Sequence, residues 1–260
     1  MELNIAGRKA IVCASSQGLG LACATSLARE GVQVVLNGRH AEKLEKARAG
    51  IAARHGERSC RYVAADITTD EGRANLIAAC PDADILVNNN AGPPPGKLDD
   101  WNHDAWIAAF EANMIPAILL IRALVPGMRK RKFGRIVNIT SAMVKSPRYP
   151  MGLSTAARTG LTAVCKAISK EVASDNVTIN SLLPERIDTP RQDFMAKRMM
   201  SEQSISYEEA RAQIVGTVAA RRFGTPGEFA DACAFLCSAQ AGFISGQNLQ
   251  LDGGSYEGLI

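Results

Sequence analysis

Short apolar runs alternate along the chain with longer segments in which apolar residues recur at every third or fourth position. Several of the short runs are continuously apolar, which is typical of strands covered on both faces of a sheet. The pattern predicts strands at residues 10–14, 32–37, 61–65, 85–88, 135–140, 178–183 and 248–251. It predicts helices at residues 20–30, 41–54, 106–128, 154–173 and 226–236.

Alternating strands and helices are the pattern of repeated β-α-β units. Right-handed crossovers between parallel strands then place helices on both faces of the sheet. No repeat, low-complexity tract or linker divides residues 1–260. The sequence therefore predicts an α/β fold, a single doubly wound Rossmann-type domain whose seven-stranded parallel sheet carries helices on both faces.

One segment, residues 189–216, differs in character from the rest. It is polar, rich in Met, Arg and Glu, and lies between two predicted strands late in the chain. Two interpretations stay open: a flap over a pocket, or a pair of solvated surface helices.

Composition narrows the class of protein. Hydrophobic residues make up 47% of the chain and charged residues 22%, as in ordinary globular proteins. The net charge of +4 is small and spread along the chain, which does not favour a nucleic-acid partner. The longest apolar stretch, residues 117–128, contains Arg122 and Pro126, and we expect a buried helix there instead of a membrane span.

The N-terminal sequence lacks the ordered regions of a signal peptide, so we expect a cytoplasmic protein with no membrane partner. The seven cysteines contain no Cys-x-x-Cys pair and are predicted to be small buried residues. The three histidines are scattered, and no metal site is predicted.

The first predicted strand ends in a turn of small residues that opens a helix. Small residues let the backbone approach a pyrophosphate, and the N–H groups and dipole of the new helix favour its negative charge. Because the turn follows the first strand directly, it predicts a dinucleotide-binding site. The residues predicted to contact the cofactor here are Ala14, Ser16, Gln17, Gly18, Leu19 and Gly20.

The end of the second predicted strand indicates which dinucleotide binds. An acid at this point would bind a ribose 2′-hydroxyl and repel a 2′-phosphate, but residues 32–41 contain none. Arg39 offers a planar cationic fork instead. We therefore expect NADP(H) to be preferred over NAD(H); the alternative is that Arg39 only begins a solvated helix.

Several further segments form a recognisable set. They are Asn89-Asn90-Ala91-Gly92 after the fourth strand, residues 135–141 ending in Ser141, residues 222–226, and residues 245–254. With the turn at 13–20, they resemble the short-chain dehydrogenase/reductase family over residues 6–254, and in general pattern its 3-oxoacyl-carrier-protein reductases. The first family motif, Thr-Gly-x-x-x-Gly-x-Gly, is altered here to begin Cys13-Ala14.

The resemblance implies roles for particular residues. It places Asp66 and Ile67 near the adenine, Asn90, Ala91 and Gly92 against the cofactor, and Pro184, Ile187 and Thr189 near the nicotinamide. It implies that Asn113 and Ser141 are catalytic residues that organise the carbonyl and a water. It also implies a homotetramer packed through the helices of Trp106 and Ser154 and through the C-terminal strand.

The resemblance fails at the family's catalytic Tyr-x-x-x-Lys motif. Thirteen residues after Ser141 the chain has Ser154, and Arg158 stands where the lysine belongs. A serine hydroxyl is far less acidic than a phenol, so it is a poor direct substitute. Arg158 can still hydrogen-bond a ribose and keep positive charge at the site, but it cannot relay protons.

Two neighbouring residues are candidates to compensate. Tyr149 lies on the segment between Ser141 and Ser154, where a phenol near Arg148 or Arg158 would serve as the acid; alternatively it only packs the loop. Glu185 replaces the glycine of the family's Pro-Gly pair, and we expect it to form an ion pair with Arg186 or Arg158 or to take part in acid–base chemistry.

Two functions from different classes remain. The first is an NADP(H)-dependent oxidoreductase of the carbonyl reductase or alcohol dehydrogenase type, acting on a small carbonyl or alcohol substrate with an atypical proton donor. The second is a catalytically impaired dinucleotide-binding sensor or scaffold, which the loss of Tyr and Lys favours and the retained Ser141 and Asn113 oppose.

Overall fold

Seven parallel strands form one sheet in the computed structural model, which describes residues 2–259. The strand order is β3-β2-β1-β4-β5-β6-β7. The strands are β1 (Lys9–Val12), β2 (Gln33–Gly38), β3 (Cys60–Ala64), β4 (Ile85–Asn88), β5 (Gly134–Ile139), β6 (Val177–Pro184) and β7 (Asn248–Leu251). The predicted parallel sheet is confirmed, and each strand lies within two residues of its predicted bounds.

Helices cover both faces of this sheet. They are α1 (Gly18–Arg29), α2 (Ala41–His55), α3 (Asp70–Ala79), α4 (His103–Asn113), α5 (Ile115–Arg131), α6 (Gly152–Val172), α7 (Pro190–Gln203), α8 (Tyr207–Gly216) and α9 (Pro226–Cys237). Leu27 of α1 and Phe229 of α9 pack on one face of the sheet. Leu76, Leu124 and Leu161, from α3, α5 and α6, pack on the other. The doubly wound Rossmann-type architecture is therefore confirmed.

The helix predicted at residues 106–128 is two helices, and this prediction was wrong at its centre. Pro116 has no N–H to donate to the carbonyl of Ala112 and is instead favoured in the first turn of a helix, where it lies in α5. The chain breaks at Met114, between α4 and α5. The carbonyl oxygen of Ala112 accepts a 2.7 Å hydrogen bond from Nδ2 of Asn90 instead. The break thus anchors a residue that follows β4.

Together α4 and α5 have the length and apolar composition of a membrane span, because an 18-residue window within His103–Arg131 has a mean hydropathy of 1.7. A core helix passes the same test, so length and composition alone are weak evidence. Leu120, Leu124 and Met128 of α5 are buried against the sheet. This inner face agrees with the prediction of a buried helix over residues 117–128.

The segment predicted as a flap or a surface helix pair folds into α7 and α8. Ala196 of α7 packs with Ala210 and Ile214 of α8 in a small separate core. Arg211 of α8 binds Asp188 at 2.9 Å and Asp193 at 3.3 Å. The pair is therefore held together, while the first turn of α7 faces the cleft described next.

Candidate active site

A cleft of about 1010 Å³ lies where the strands reach their carboxyl ends. The chain leaves β1 towards β2 on one side, and β4 lies on its other side, so the strand order reverses here. Ligands bind at such a reversal in open parallel sheets. The predicted site residues that line the cleft are Ala14, Ser16, Gln17, Gly18, Leu19, Arg39, Asp66, Ile67, Asn90, Ala91, Gly92, Ser141, Ser154, Arg158, Pro184, Ile187 and Thr189.

The turn between β1 and α1 is shaped to receive a phosphate. Ala14 and Gly18 both have positive φ, at 45° and 60°. A Cβ on Gly20 would overlap the carbonyl oxygen of Ala14, so only glycine fits there. Gly20 therefore supports the turn and does not itself line the cleft. The first turn of α1 reads Gly-Leu-Gly-Leu and contains no acid, which leaves the N-terminal N–H groups open to an anion.

Three residues that sequence reasoning did not select hold this turn in place. Ser15 Oγ donates to the carbonyl of Val12 at 2.7 Å and accepts the Asn37 N–H at 3.0 Å. Asn37 Nδ2 donates to the carbonyl of Ala65 at 3.0 Å, and Asn89 Nδ2 donates to that of Ala14 at 3.2 Å. These bonds join the ends of four strands. The sequence signal for these three residues is a Ser or Asn directly at the end of a strand, where backbone N–H and C=O groups no longer pair with a neighbouring strand.

Arg39 and Asp66 stand at the β2 and β3 end of the cleft. Arg39 is exposed, and Lys43 of α2 lines the cleft beside it. The Thr68 N–H holds the pKa of the Asp66 carboxyl below its usual range, and the Thr68 hydroxyl and the charge of Arg39 act in the same direction. A cation pair thus flanks the position where a ribose phosphate is expected.

Arg158 makes five hydrogen bonds at the other end of the cleft. Its Nε donates to Ser154 Oγ at 3.2 Å. Nη1 donates to the carbonyls of Ile139 and Thr140, each at 2.8 Å. Nη2 donates to the Asn90 carbonyl at 3.1 Å and to Asn113 Oδ1 at 3.0 Å. A guanidinium has five N–H donors, and all five are used.

This geometry does not favour the predicted role of Arg158 in holding the ribose. With every donor engaged, it cannot hold a ribose hydroxyl without breaking one of these bonds. All five acceptors are neutral, and no carboxylate within residues 2–259 pairs with Arg158. Burial lowers its pKa to about 10, and the charge of Arg191 adds to this. Arg158 therefore stays protonated near neutral pH and holds an unneutralised positive charge beneath the cleft.

Two serine hydroxyls are oriented by these contacts. Ser154 Oγ accepts the Arg158 Nε–H, and Ser141 Oγ accepts the Met143 N–H at 3.2 Å. No acceptor is recorded for either hydroxyl proton among the described residues. Both side chains line the same cleft, so both O–H groups are available to donate into it.

Asn113 does not line the cleft. Its Oδ1 accepts from Arg158, and its Nδ2 donates to the Ala109 carbonyl at 3.4 Å. Through Oδ1, Asn113 positions Arg158 from behind the cleft lining. This differs from the role that the resemblance implied.

Tyr149 also lies outside the cleft lining. It is 66% exposed, and its hydroxyl accepts the Leu98 N–H at 3.2 Å. Its neighbours Arg148, Pro150 and Met151 line the cleft, so the chain turns the phenol away from it. The geometry does not support Tyr149 as the proton donor and favours the alternative of loop packing.

Arginines surround Glu185 at the end of the cleft lined by Ser141 and Ser154, which is called the substrate end below. Glu185 Oε1 lies 3.2 Å from Arg186 Nε and 3.5 Å from Arg148 Nη1, so it forms an ion pair with Arg186 and not with Arg158. The Arg186 contact has ion-pair distance without hydrogen-bond alignment, because that nitrogen has no hydrogen-bond partner. Arg191, in the first turn of α7, also lines the cleft and was not selected from the sequence.

The fold and the cleft together define a dinucleotide-binding oxidoreductase of the Rossmann type, and comparison with known proteins narrows the class. The family model described as Enoyl-(Acyl carrier protein) reductase matches residues 13–256. The NADPH-dependent reductase BacG of Bacillus subtilis is 32% identical, covering 97% of this chain and 99% of that protein. The chain therefore belongs to the short-chain dehydrogenase/reductase family and is an enzyme of that family, as its motifs predict.

Two further relatives support this assignment. The 3-oxoacyl-[acyl-carrier-protein] reductase FabG of Vibrio cholerae is 31% identical, covering 98% of this chain and 99% of that protein. The structure of L-sorbose reductase from Gluconobacter frateurii, complexed with NADPH and L-sorbose, superposes with a TM-score of 0.94 at 30% identity and covers all of both chains. The similarity extends over the whole α/β fold.

Proposed function

We propose that this chain is an NADP(H)-dependent reductase of a small carbonyl compound, in which two serines hold the carbonyl oxygen and solvent provides the proton. The observation that carries the proposal is the pair of oriented hydroxyls at one end of the cleft. Ser141 and Ser154 each accept one N–H, which leaves each O–H to be donated.

The residues present fit NADP(H). The turn of residues 14–20 leaves room for a diphosphate at the N-terminus of α1, since Gly18 lines the cleft and even an added Cβ there would meet no atom within 4 Å. Arg39 and Lys43 would hold a 2′-phosphate. The relatives BacG and L-sorbose reductase are described with NADPH, which agrees with the preference inferred from Arg39.

When bound, NADPH supplies the hydride that reaches the carbonyl carbon. The two serine hydroxyls donate hydrogen bonds to the carbonyl oxygen as negative charge develops there. The charge of Arg158, one hydrogen bond behind Ser154, stabilises the same oxygen. Removing one such preorganised donor from an enzyme typically costs about 10²–10³-fold in kcat. Electrostatic stabilisation thus takes the place of a phenol acid.

Solvent is the proton source in this proposal because the cleft offers no suitable acid. Within the described chain, the substrate end contains no Tyr, His, Cys or Lys among its lining residues. The carboxylate of Glu185 is engaged by two arginines, at 3.2 Å from Arg186 Nε and 3.5 Å from Arg148 Nη1. The finished alkoxide is a strong base and takes a proton from water.

The test begins with the cofactor. Fluorescence titration of NADPH and NADH measures binding, and the loss of NADPH absorbance measures turnover with a panel of ketones, β-keto thioesters, sugars and quinones. Turnover of any class supports the reductase. Tight NADPH binding without turnover of any of them overturns it in favour of the sensor or scaffold.

The serine pair is then tested by substitution. Ser154→Ala should lower kcat about 10²-fold with little change in NADPH binding, because the hydroxyl acts on developing charge. Ser169→Ala is the matched control: it removes a serine hydroxyl from the same helix, where Ser169 bonds only the Lys166 carbonyl outside the cleft. An unchanged kcat in the Ser154 variant would contradict the proposed role.

We also propose that the chain forms a homotetramer. Ile107 of α4, Ile115 at the start of α5 and Leu249 of β7 are each more than 40% exposed, on surfaces that the family resemblance places in subunit contacts. Light scattering after size exclusion should give four times the chain mass of 27.7 kDa. A monomer at micromolar concentration would refute the assembly.

A further inference from the structure

The substrate end of the cleft carries a strong positive charge. Its charged lining residues are Arg148, Arg158, Arg186, Arg191 and Glu185, four cations against one anion. Glu185 lies between two of the arginines and can neutralise only one charge. Among the described residues, no carboxylate pairs with Arg158 or Arg191. Such clustering is costly for the free protein unless a ligand supplies negative charge.

The phosphates of the cofactor do not account for this cluster. They are served by the turn of residues 14–20 after β1 and by Arg39 after β2. The arginines follow β5 and β6, three and four strands from β2 in the sheet. Neighbouring strands are about 4.8 Å apart, so the separation is roughly 14–19 Å from the end of β2 and roughly 10–14 Å from the turn after β1. The cluster lies on the side of Ser141 and Ser154, where the carbonyl is held.

Arg191 is the arginine best placed to meet a ligand. It is exposed, lies in the first turn of α7, and lines the cleft. A cation at a helix N-terminus opposes the helix dipole, so its own helix does not favour it there. Asp193, the acid in the same turn, is held by Tyr207 at 2.7 Å and by Arg211 at 3.3 Å and does not neutralise Arg191. The charge of Arg191 nevertheless reaches Arg158 across the cleft.

Arg186 points to the same ligand chemistry independently. Its backbone has a φ of 52°, a conformation that non-glycine residues rarely adopt. Its side chain is largely buried, and its Nε lies 3.2 Å from Glu185 Oε1 without the alignment of a hydrogen bond. Unpaired buried donors are rare in folded proteins unless an unrecorded partner completes them.

From these contacts we infer that the substrate is an anionic carbonyl compound, whose carboxylate or phosphate is bound by Arg191 with Arg148 and Arg186 nearby, while its carbonyl lies on Ser141 and Ser154. This inference rests on the proposed reductase function and names the substrate class for it. Guanidinium groups bind such oxyanions with paired, charge-assisted hydrogen bonds.

Direct binding tests the inference without turnover. Malonate and its neutral diamide are titrated calorimetrically into the NADPH-saturated protein. We expect malonate to bind about 10- to 100-fold more tightly, as hydrogen bonds to charged groups imply. Arg191→Gln should remove most of that difference. Lys197→Gln, an exposed lysine on the same helix and outside the cleft, is the matched control and should retain it.

Turnover distinguishes a carboxylate from a phosphate as the anionic group of the substrate. Acetoacetate is compared with methyl acetoacetate, and dihydroxyacetone phosphate with dihydroxyacetone. A preference for the first member of either pair supports an anionic substrate and identifies carboxylate or phosphate as the group bound. Equal or faster reduction of the neutral members would overturn the inference and leave the reductase proposal intact.

NADPH titration of each variant separates the remaining outcomes. If Arg191→Gln weakens NADPH as much as it weakens malonate, the arginine serves the cofactor and the inference is wrong. If neither the parent protein nor any variant binds NADPH, the reductase proposal fails instead. Equal affinity for malonate and its diamide in the parent protein would also overturn the inference.

Discussion

Ala14 holds a side chain in a backbone conformation that favours glycine. Its φ is 45°, and the family motif has glycine at this position. The left-handed conformation costs an L-residue about 1–2 kcal/mol. Glycine also gives the unfolded chain more conformational freedom, which lowers the free energy of unfolding by about 0.4–1 kcal/mol and offsets part of the gain from relieved strain. We therefore expect Ala14→Gly to raise the free energy of unfolding by about 0.5–1 kcal/mol in urea denaturation.

An alanine in a helix provides the control for Ala14→Gly. Ala49 is exposed in the middle of α2, where glycine should cost about 1 kcal/mol. The two substitutions are chemically identical, so opposite signs isolate the effect of φ. Destabilisation by both would show that the Ala14 turn carries no strain.

The second prediction at the scale of a residue concerns the role of Arg39 in cofactor preference. Arg39→Asp replaces the cation of the cleft's phosphate end with a carboxylate that repels a 2′-phosphate and accepts a ribose hydroxyl. We expect the Kd for NADPH to rise at least about tenfold relative to that for NADH. Lys46→Asp, an exposed lysine on α2 outside the cleft, should leave the ratio unchanged. Equal losses for both cofactors in the Arg39 variant would count against its role.

The site also shows what motif spacing can and cannot predict. Residues of the phosphate turn and of Asn90-Ala91-Gly92 line the cleft as predicted, because strand ends fix where the backbone lies. Spacing does not fix the direction of a side chain. Tyr149 is on the predicted segment but bonds Leu98, and Asn113 lies behind Arg158. The saturation of Arg158 depends on backbone carbonyls from two separate segments and on the side-chain oxygen of Asn113, which no local pattern records.

At the scale of elements, the strands were predicted more closely than the helices. Buried parallel strands are continuously apolar, so their pattern is sharp. The helix α3 was missed because its face is weakly apolar, although Thr69 caps it by accepting the Gly72 N–H at 3.0 Å. The break at Met114 follows from Pro116, a signal present in the sequence but outweighed by the apolar periodicity.

The pairing of α7 and α8 supports a prediction about the same elements. Arg211 binds Asp188 and Asp193 and lies 4.3 Å above the ring of Phe223. Arg211→Ala should loosen α7, whose first turn borders the cleft, and speed amide hydrogen exchange there several-fold. KM should rise more than kcat falls, since α7 contributes to binding and not to the serine pair.

A surface arginine of α2 provides the comparison for Arg211. Arg48 forms a similar set of ion pairs, with Glu45 at 2.7 Å and Glu57 at 2.8 Å, away from the cleft. Arg48→Ala should leave exchange in α7 and KM as they are. Unaltered exchange in the Arg211 variant would mean that the small apolar core between the helices suffices to hold them.

At the scale of the whole molecule, the distribution of ionisable groups predicts how the rate depends on pH. The charged groups at the substrate end are four arginines and Glu185, and Arg158, with a pKa of about 10, stays protonated well above neutrality. Because the positive charge is lost only as the pH rises through 10, the stabilisation it gives the carbonyl oxygen is constant below that point. We expect kcat for reduction to vary by no more than about twofold between pH 6 and 9, since no group in this range acts as the acid.

His40 is the one histidine that lines the described cleft, and it lies at the cofactor's phosphate end. This end is remote from Ser141 and Ser154, so His40 can contact the cofactor but not the carbonyl that is reduced. His40→Asn should therefore leave both kcat at saturating NADPH and its pH profile unaltered. A kcat break between pH 6.5 and 8 that survives in this variant would reveal an acid other than solvent. Proton transfer would then have to be assigned to a group that reaches the carbonyl only when substrate is bound.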